Sequence, residues 1–271
     1  MKLLKRVVHT NYFMAVLWTV ILIAVWEIFA FVVQFTKPSP VNVLPHLSGI
    51  LESILSTKTI NGTQTALQMV LVNAGATLSR AGIGFLIGTL LGFVLALLMH
   101  LSGVVEKIAF PYLMLIQMIP VLGIAPIVLA LTGDIGVSRI VIAAILTFYP
   151  VATNTLAGFK GVQKEKHELM YSYAANKFQI YTKTMIPACL PSFFTGMKIA
   201  APMAVTASIL VDTLQGGVGL GCLLSQSLKG AMTRYVFWQI VLLSAIIGIL
   251  SFVVINAVEK KVCPYNQKEK G

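Results

Sequence analysis

Side chains able to do acid–base or ligand chemistry are few in this sequence, and they stand apart. His9, His46, His100 and His167 fall in four different segments. Glu165, His167 and Glu168 cluster, but no H-E-x-x-H spacing sets two imidazoles on one helix face for a metal, so a solvated loop accounts for them. Cys189, Cys222 and Cys263 have neither metal-like nor paired spacing, and an odd, scattered set argues for reduced thiols. No G-x-x-x-x-G-K-[ST] loop is present to cradle nucleotide phosphates. The chain is therefore not expected to be an enzyme by itself, nor to bind a metal or cofactor. Three charges differ from the rest, because they stand inside apolar runs: Glu27, Lys198 and Asp212. A charge in hydrocarbon is costly, which makes such a residue a functional candidate by default. Asp212 and the neighbouring Gln215, together with Gln117, are expected to line or gate a pathway. Lys198 is expected to snorkel toward the interface. Asp134 and Arg139 share a short loop and are expected to pair with each other.

The elements that must position these groups follow from composition. Of 271 residues, 57% are hydrophobic and only 11% charged, with mean hydropathy +0.87. That is too little polar surface for a soluble domain, where about 25% charge is usual. Repeated apolar runs near 20 residues define an all-α polytopic membrane protein with six transmembrane helices. The net charge of +11 reads as basic loops retained on the cytoplasmic side, not as a nucleic-acid surface, since no basic stripe with interleaved aromatics occurs.

The first span is expected at 12–35, a retained signal-anchor too long for a cleaved h-region. Residues 1–35 thus form a cytoplasmic segment and first helix, 36–260 the core, and 261–271 a cytoplasmic tail. A polar stretch covers 36–68. Further spans are expected at about 80–99, with a lead-in helix that could start at Leu67, and at 108–131, 140–158, 190–214 and 235–258. Fourteen of the 20 Lys and Arg lie on the side of both termini and the 159–187 loop. The positive-inside rule makes that side cytoplasmic, in a multi-pass protein of the cell (plasma) membrane. Gly84, Gly88 and Gly92 recur every four residues on one helix face, with Gly82 nearby, as in close helix–helix contacts in lipid.

The loop at 159–187 is the least membrane-like stretch between spans. A helix is expected at about 166–177, on which Tyr171, Ala174, Ala175 and Phe178 fall at i, i+3, i+4 and i+7 and form one apolar face. A second short helix at 179–185 ends before Pro187. Such an element could lie on lipid headgroups or enter a groove on a cytoplasmic partner.

Glu168-Leu169-Met170, then Ala174, then Ile186-Pro187 resemble the EAA loop of ABC-importer permeases (Glu-Ala-Ala, three residues, Gly, nine residues, Ile-x-Leu-Pro), with Thr184 at the first Ile. The likeness extends to Ser39-Pro40, Leu78-Ser79-Arg80, Gln117-Met118-Ile119-Pro120 with Ala125-Pro126, Phe148-Tyr149-Pro150 and Gly219-Leu220-Gly221. The ordered series is similar to the nitrate/sulfonate/taurine/bicarbonate branch of the binding-protein-dependent transport family.

The resemblance implies a type I ABC importer permease fold. It implies a permease that forms the translocation pathway as a dimer, most simply a homodimer. A cytoplasmic ABC ATPase dimer would use the ATP, and an extracytoplasmic solute-binding protein would deliver a small polar solute, either an anion of that branch or a vitamin precursor. Glu168, Tyr171, Ala174, Ala175 and Phe178 would couple to the ATPase. Two departures stand out: Leu169-Met170 replace Ala-Ala, and Ala174 replaces the motif's Gly, so the tight bend that Gly permits is expected to be absent, to move, or to give way to helix, the geometry that suits Ala. An ATP-independent secondary transporter is the alternative, though it usually shows internal repeats and ionisable groups near the midplane.

Overall fold

A computed structural model of the chain describes residues 2–38, 40–60, 62–229 and 234–264, without the side chains of 2–12, 167 and 215. Ser39 and the side chains of His9, His167 and Gln215 lie outside the described residues. In chain order the helices are α1 (Lys2–Thr36), α2 (Pro40–Val43), α3 (Leu47–Leu55), α4 (Ala66–Leu101), α5 (Gly103–Met118), α6 (Val121–Thr132), α7 (Ile135–Lys160), α8 (Lys164–Ser172), α9 (Lys177–Ile180), a π turn (Tyr181–Met185), α10 (Ile186–Gln215), α11 (Leu220–Leu228) and α12 (Arg234–Val262).

Among the described residues, five helices are long and apolar enough to cross a bilayer: Phe13–Thr36, Ala66–Leu101, Ile135–Lys160, Lys177–Leu214 and Arg234–Val262. The second is one continuous helix, in which the lead-in from Leu67 and the span at 80–99 run together. The span expected at 108–131 is not a single rod. It is the pair α5 and α6, bent by 105°. The cause is local. Pro120 has no N–H to continue a helix and drives Ile119 into extended backbone, with φ −77° and ψ 124°, so Pro120 caps a new helix instead.

The chain forms two compact units, residues 1–70 with 226–239 and residues 71–225 with 240–271. In the first, Glu27 on α1 joins that helix to the start of α3. Its carboxylate accepts the Leu47 N–H at 2.8 Å, starting α3, and holds His46 Nδ1 at 2.6 Å. Trp26 donates to the Pro45 carbonyl at 3.1 Å and packs edge-on against Trp238 at 4.9 Å.

The second unit is built around α7, whose first turn is capped by Asp134, Oδ1 accepting the Val137 N–H at 2.7 Å. Helices in lipid gain nothing from burying one apolar surface against another, so close backbone approach decides packing. A Cβ on Gly84 would lie 2.6 Å from Ala143 Cβ and from the Ile140 carbonyl oxygen, and one on Gly88 would lie 2.7 Å from Thr147 Cβ. On the other flank, Gly158 meets Ser192 and Gly196 meets the Pro150 carbonyl. The glycine row of α4 is thus a helix contact with α7, whereas Gly82 faces open space.

Gly88→Ala should destabilise the purified protein by about 1–3 kcal/mol, the usual cost of overpacking. Gly82→Ala should be near neutral, and thermal unfolding in detergent distinguishes them.

Candidate functional site

Two places gather the residues singled out above. The first is the segment between α7 and α10. The expected helix over 166–177 and its single apolar face are not what forms. α8 ends at Ser172, and Ala174 takes a left-handed conformation with φ +50°. The Ala175 N–H bonds the Met170 carbonyl at 3.1 Å and the Ala174 N–H bonds the Tyr171 carbonyl at 2.9 Å. That pair of bonds closes a Schellman motif, whose left-handed position glycine usually takes. Met170 and Ala175, both partly buried, pack against the cluster of Phe159, Ile180, Met185 and Cys189.

A capping box opens the next helix. The Gln179 N–H donates to Asn176 Oδ1 and the Asn176 N–H donates to Gln179 Oε1, both at 2.9 Å. One stop signal and one start signal in succession make a corner, so the bend of the EAA motif is kept although its glycine is not. Helix-favouring Ala174 concealed the corner; the Asn176-x-x-Gln179 spacing was the overlooked sign of it.

The corner separates the expected coupling residues. Tyr171 is 61% exposed and Phe178 75%, and Glu168 and Ala174 also face outward. Glu168 makes no ion pair among the described residues. Ala175 turns inward to the cluster. Exposed Leu169 and Tyr173 join Tyr171 and Phe178 on the outer side.

The second place is an ion cluster at the far end of α10. Asp212 is 0% exposed and Arg139 1%. Asp212 Oδ2 accepts the Thr77 hydroxyl at 2.7 Å. Arg139 Nε stands 3.0 Å from Asp212 Oδ1, an ion pair in contact though not aligned as a hydrogen bond, and Arg80 Nη1 stands 3.5 Å from the same oxygen.

The remaining guanidinium donors hold the loop after α10. Arg80 and Arg139 donate to the Val218 carbonyl at 2.8 and 3.0 Å, and Arg139 Nη2 donates to the Gly216 carbonyl. The Gly219 N–H donates to Asn73 Oδ1 at 2.7 Å, and the Leu220 N–H to Thr77 Oγ1 at 2.9 Å. Gly219 has φ +153°, and a Cβ there would run into the Asp212 carboxylate. Burial, reinforced by Asp212 and opposed by Arg139, pushes the Cys222 thiol on α11 above its ordinary pKa.

Arg139 therefore pairs with Asp212, not Asp134, which is spent as a helix cap. Arg80, Arg139 and Thr77 are the members that spacing along the chain did not reveal. A buried carboxylate needs a cation, and that requirement was the available clue. Gln117 is exposed on the last turn of α5, beside the 105° bend, and no hydrogen bond joins it to Asp212 among the described residues. Lys198 does not snorkel. It pairs with Glu259 across α10 and α12 and lies 5.9 Å above the Phe252 ring.

A helical, multi-pass membrane subunit with a glycine-packed core and an exposed two-helix corner has the type I ABC importer permease fold. The chain belongs to the family of the binding-protein-dependent transport system inner membrane component, which matches residues 88–263. It is 31% identical over 255 residues to the formylaminopyrimidine transport permease protein ThiX of Halalkalibacterium halodurans, covering 93% of this chain and 96% of that protein. It is 26% identical over 227 residues to the taurine transport system permease protein TauC of Escherichia coli, covering 82% and 80%. Its fold resembles a crystal structure of an amino acid ABC transporter with histidines, with TM-score 0.62 at 17% identity, covering 76% of this chain and 100% of that one. An inward-facing MetNI methionine ABC transporter matches with TM-score 0.62 at 16% identity, covering 72% and 97%. The chain is thus a permease subunit of an ABC importer for small solutes, a non-catalytic member of its complex.

Ala174→Gly should stabilise the corner by about 1 kcal/mol, the penalty a Cβ carries at positive φ, and Ala174→Val should weaken it. Hydrogen exchange across residues 164–180 reads both. Asp212→Asn leaves two guanidiniums without their carboxylate and should cost about 3–5 kcal/mol. Arg80→Ala, at the exposed edge of the cluster, should cost less than half as much by thermal unfolding.

Proposed function

We propose that the corner formed by α8 and α9 docks in a cleft of a cytoplasmic ABC ATPase, and that two copies of this chain form the translocation pathway between them. The observation that carries this reading is the outward set Leu169, Tyr171, Tyr173 and Phe178, large apolar side chains exposed on an otherwise polar segment. Glu168 supplies a polar or ionic contact beside them, and Ala174 closes the turn. Ala175 anchors the corner from the inside. Both termini and the corner face the cytoplasm, in keeping with the fourteen basic residues on that side. A solute-binding protein meets the opposite face.

ATP-driven closure of the ATPase dimer draws the two corners together. Because α9, the π turn and α10 run on without a break from Lys177 to Leu214, a displacement of the corner moves α10, with Pro187 and Pro191 in its first turns. The pathway then opens outward, and hydrolysis resets it. ATP is used by the partner; this chain needs no cofactor of its own. Gln117, Asp212 and Gln215 are assigned to the pathway or its outer gate, with Asp212 acting through the loop it holds and not by direct contact with solute.

For the solute, the reading favours a small polar heterocycle of the vitamin-precursor kind over an oxyanion. Identity is higher to the formylaminopyrimidine permease, at 31%, than to the taurine permease, at 26%. An anion prefers free donors and cations, and the deeply seated cations Arg139 and Lys198 are each neutralised by a carboxylate.

Phe178→Asp should lower co-purification of the ATPase at least about tenfold, as loss of an aromatic anchor does, while membrane insertion persists. Unchanged recovery of the ATPase would refute the docking assignment. In vesicles carrying the full complex with its binding protein, uptake should be competed by formylaminopyrimidine and not by nitrate or taurine.

A further inference from the structure

We propose that His100 and Tyr181 form a positioning pair that ties the docking corner to α4, so that α4 and not α10 alone carries the corner's displacement across the membrane. This rests on the docking reading above.

Tyr181 is the first residue of the π turn that joins α9 to α10. A single π turn inside a helix holds one residue out of the usual register and is frequent at functional sites. Here it coincides with the turn that presents the Tyr181 ring to α4. Its hydroxyl and His100 Nδ1 share a hydrogen bond of 2.8 Å, across 81 residues of sequence. His100 lies in the last turn of α4, and its ring stacks on Phe159, in the last turn of α7, with centroids 5.1 Å apart and planes 29° apart. Tyr181 also meets the Phe159 ring at 6.4 Å. Three helix ends therefore converge on Phe159, which is 1% exposed.

The contact continues inward. Phe93, two turns back on α4, packs against Phe159 at 6.3 Å and against Phe193 of α10 at 5.3 Å. Aromatic stacking and apolar packing resist separation but leave rotation of the corner about Phe159 loosely defined, because both depend on surface more than on direction. The His100–Tyr181 hydrogen bond is directional. It fixes the angle at which the corner meets α4. Without it the corner still packs and still docks, but its displacement is taken up as rotation about the Phe159 ring.

The test uses the full complex in nanodiscs with ATP and vanadate as the probe, so no solute need be known. Single cysteines replace exposed Ser172, on the corner, and exposed Ser79, far along α4; the three native thiols are buried and stay unlabelled. In the parent protein, trapping should change the maleimide labelling rate at both positions. Tyr181→Phe keeps the ring and removes the hydroxyl, and His100→Phe keeps the stack and removes the bond. Each should preserve ATPase co-purification and the change at 172 while reducing the change at 79 about fivefold or more. The double variant should lose no more than His100→Phe does, since the bond to Tyr181 is already gone there. His100→Asn, which retains a polar atom near the Nδ1 position, should restore the response at 79.

A normal response at 79 in Tyr181→Phe, additive losses in the double variant, or loss of the ATPase from the complex would each overturn the pair's positioning role. If instead the parent shows no change at 172 on trapping, the docking reading itself fails and this proposal falls with it.

Discussion

Close backbone contact along α7 is the constraint on which the second unit depends. In a bilayer the surrounding lipid is as apolar as the helix surfaces, so association comes from van der Waals contact and hydrogen bonds. Gly84, Gly88 and Gly92 bring α4 against one flank of α7, and Gly158 with Gly196 brings α10 against the other. The depth of that contact decides what lies at each end. At one end Arg139, in the first turns of α7, reaches the carboxylate of Asp212 on α10, which in turn accepts the Thr77 hydroxyl of α4. At the other end Phe159 becomes the floor on which the corner rests. A separation of one methyl group along these seams would loosen both.

The charges obey the same economy. Among the described residues, every ion pair in the second unit joins separate elements: Asp212 on α10 with Arg139 on α7 and Arg80 on α4, Lys198 on α10 with Glu259 on α12, and Lys160 on α7 with Glu106 on α5. In a medium where an unpaired charge is costly, each pair also fixes the register between two helices. The surplus donors of Arg80 and Arg139 end on backbone carbonyls of the loop at 216–219, which converts a charge that must be neutralised into a clamp on a glycine-rich segment. Asp212 is therefore a keystone of that loop as well as a charge in an apolar run.

Much of the architecture could be read from the chain. Apolar runs located the spans to within a few residues at 135–160 and 234–262, and the four-residue glycine spacing correctly marked a helix contact. What was missed has physical causes. Periodicity does not show where one turn leaves the helix, so 108–131 read as one rod although Pro120 breaks it. Ala174 is the best helix former by propensity, so its left-handed conformation was hidden; only the tertiary pull of Met170 and Ala175 into the Phe159 cluster makes that geometry worthwhile. Arg139 was assigned to Asp134 five residues away, because the partner it needs is 73 positions distant and brought near by folding alone. The candidate site was thus legible in its residue types, and illegible in their pairing.

The corner at Ala174 closes with two main-chain hydrogen bonds, one capping box and the packing of Met170 and Ala175 against the Phe159 cluster. None of these uses the side chains of Leu169, Tyr173 or Phe178. The shape of the bend and the chemistry of its outer surface are therefore independent variables. That surface can be rewritten residue by residue, to suit one motor or another, without unfolding the scaffold that displays it.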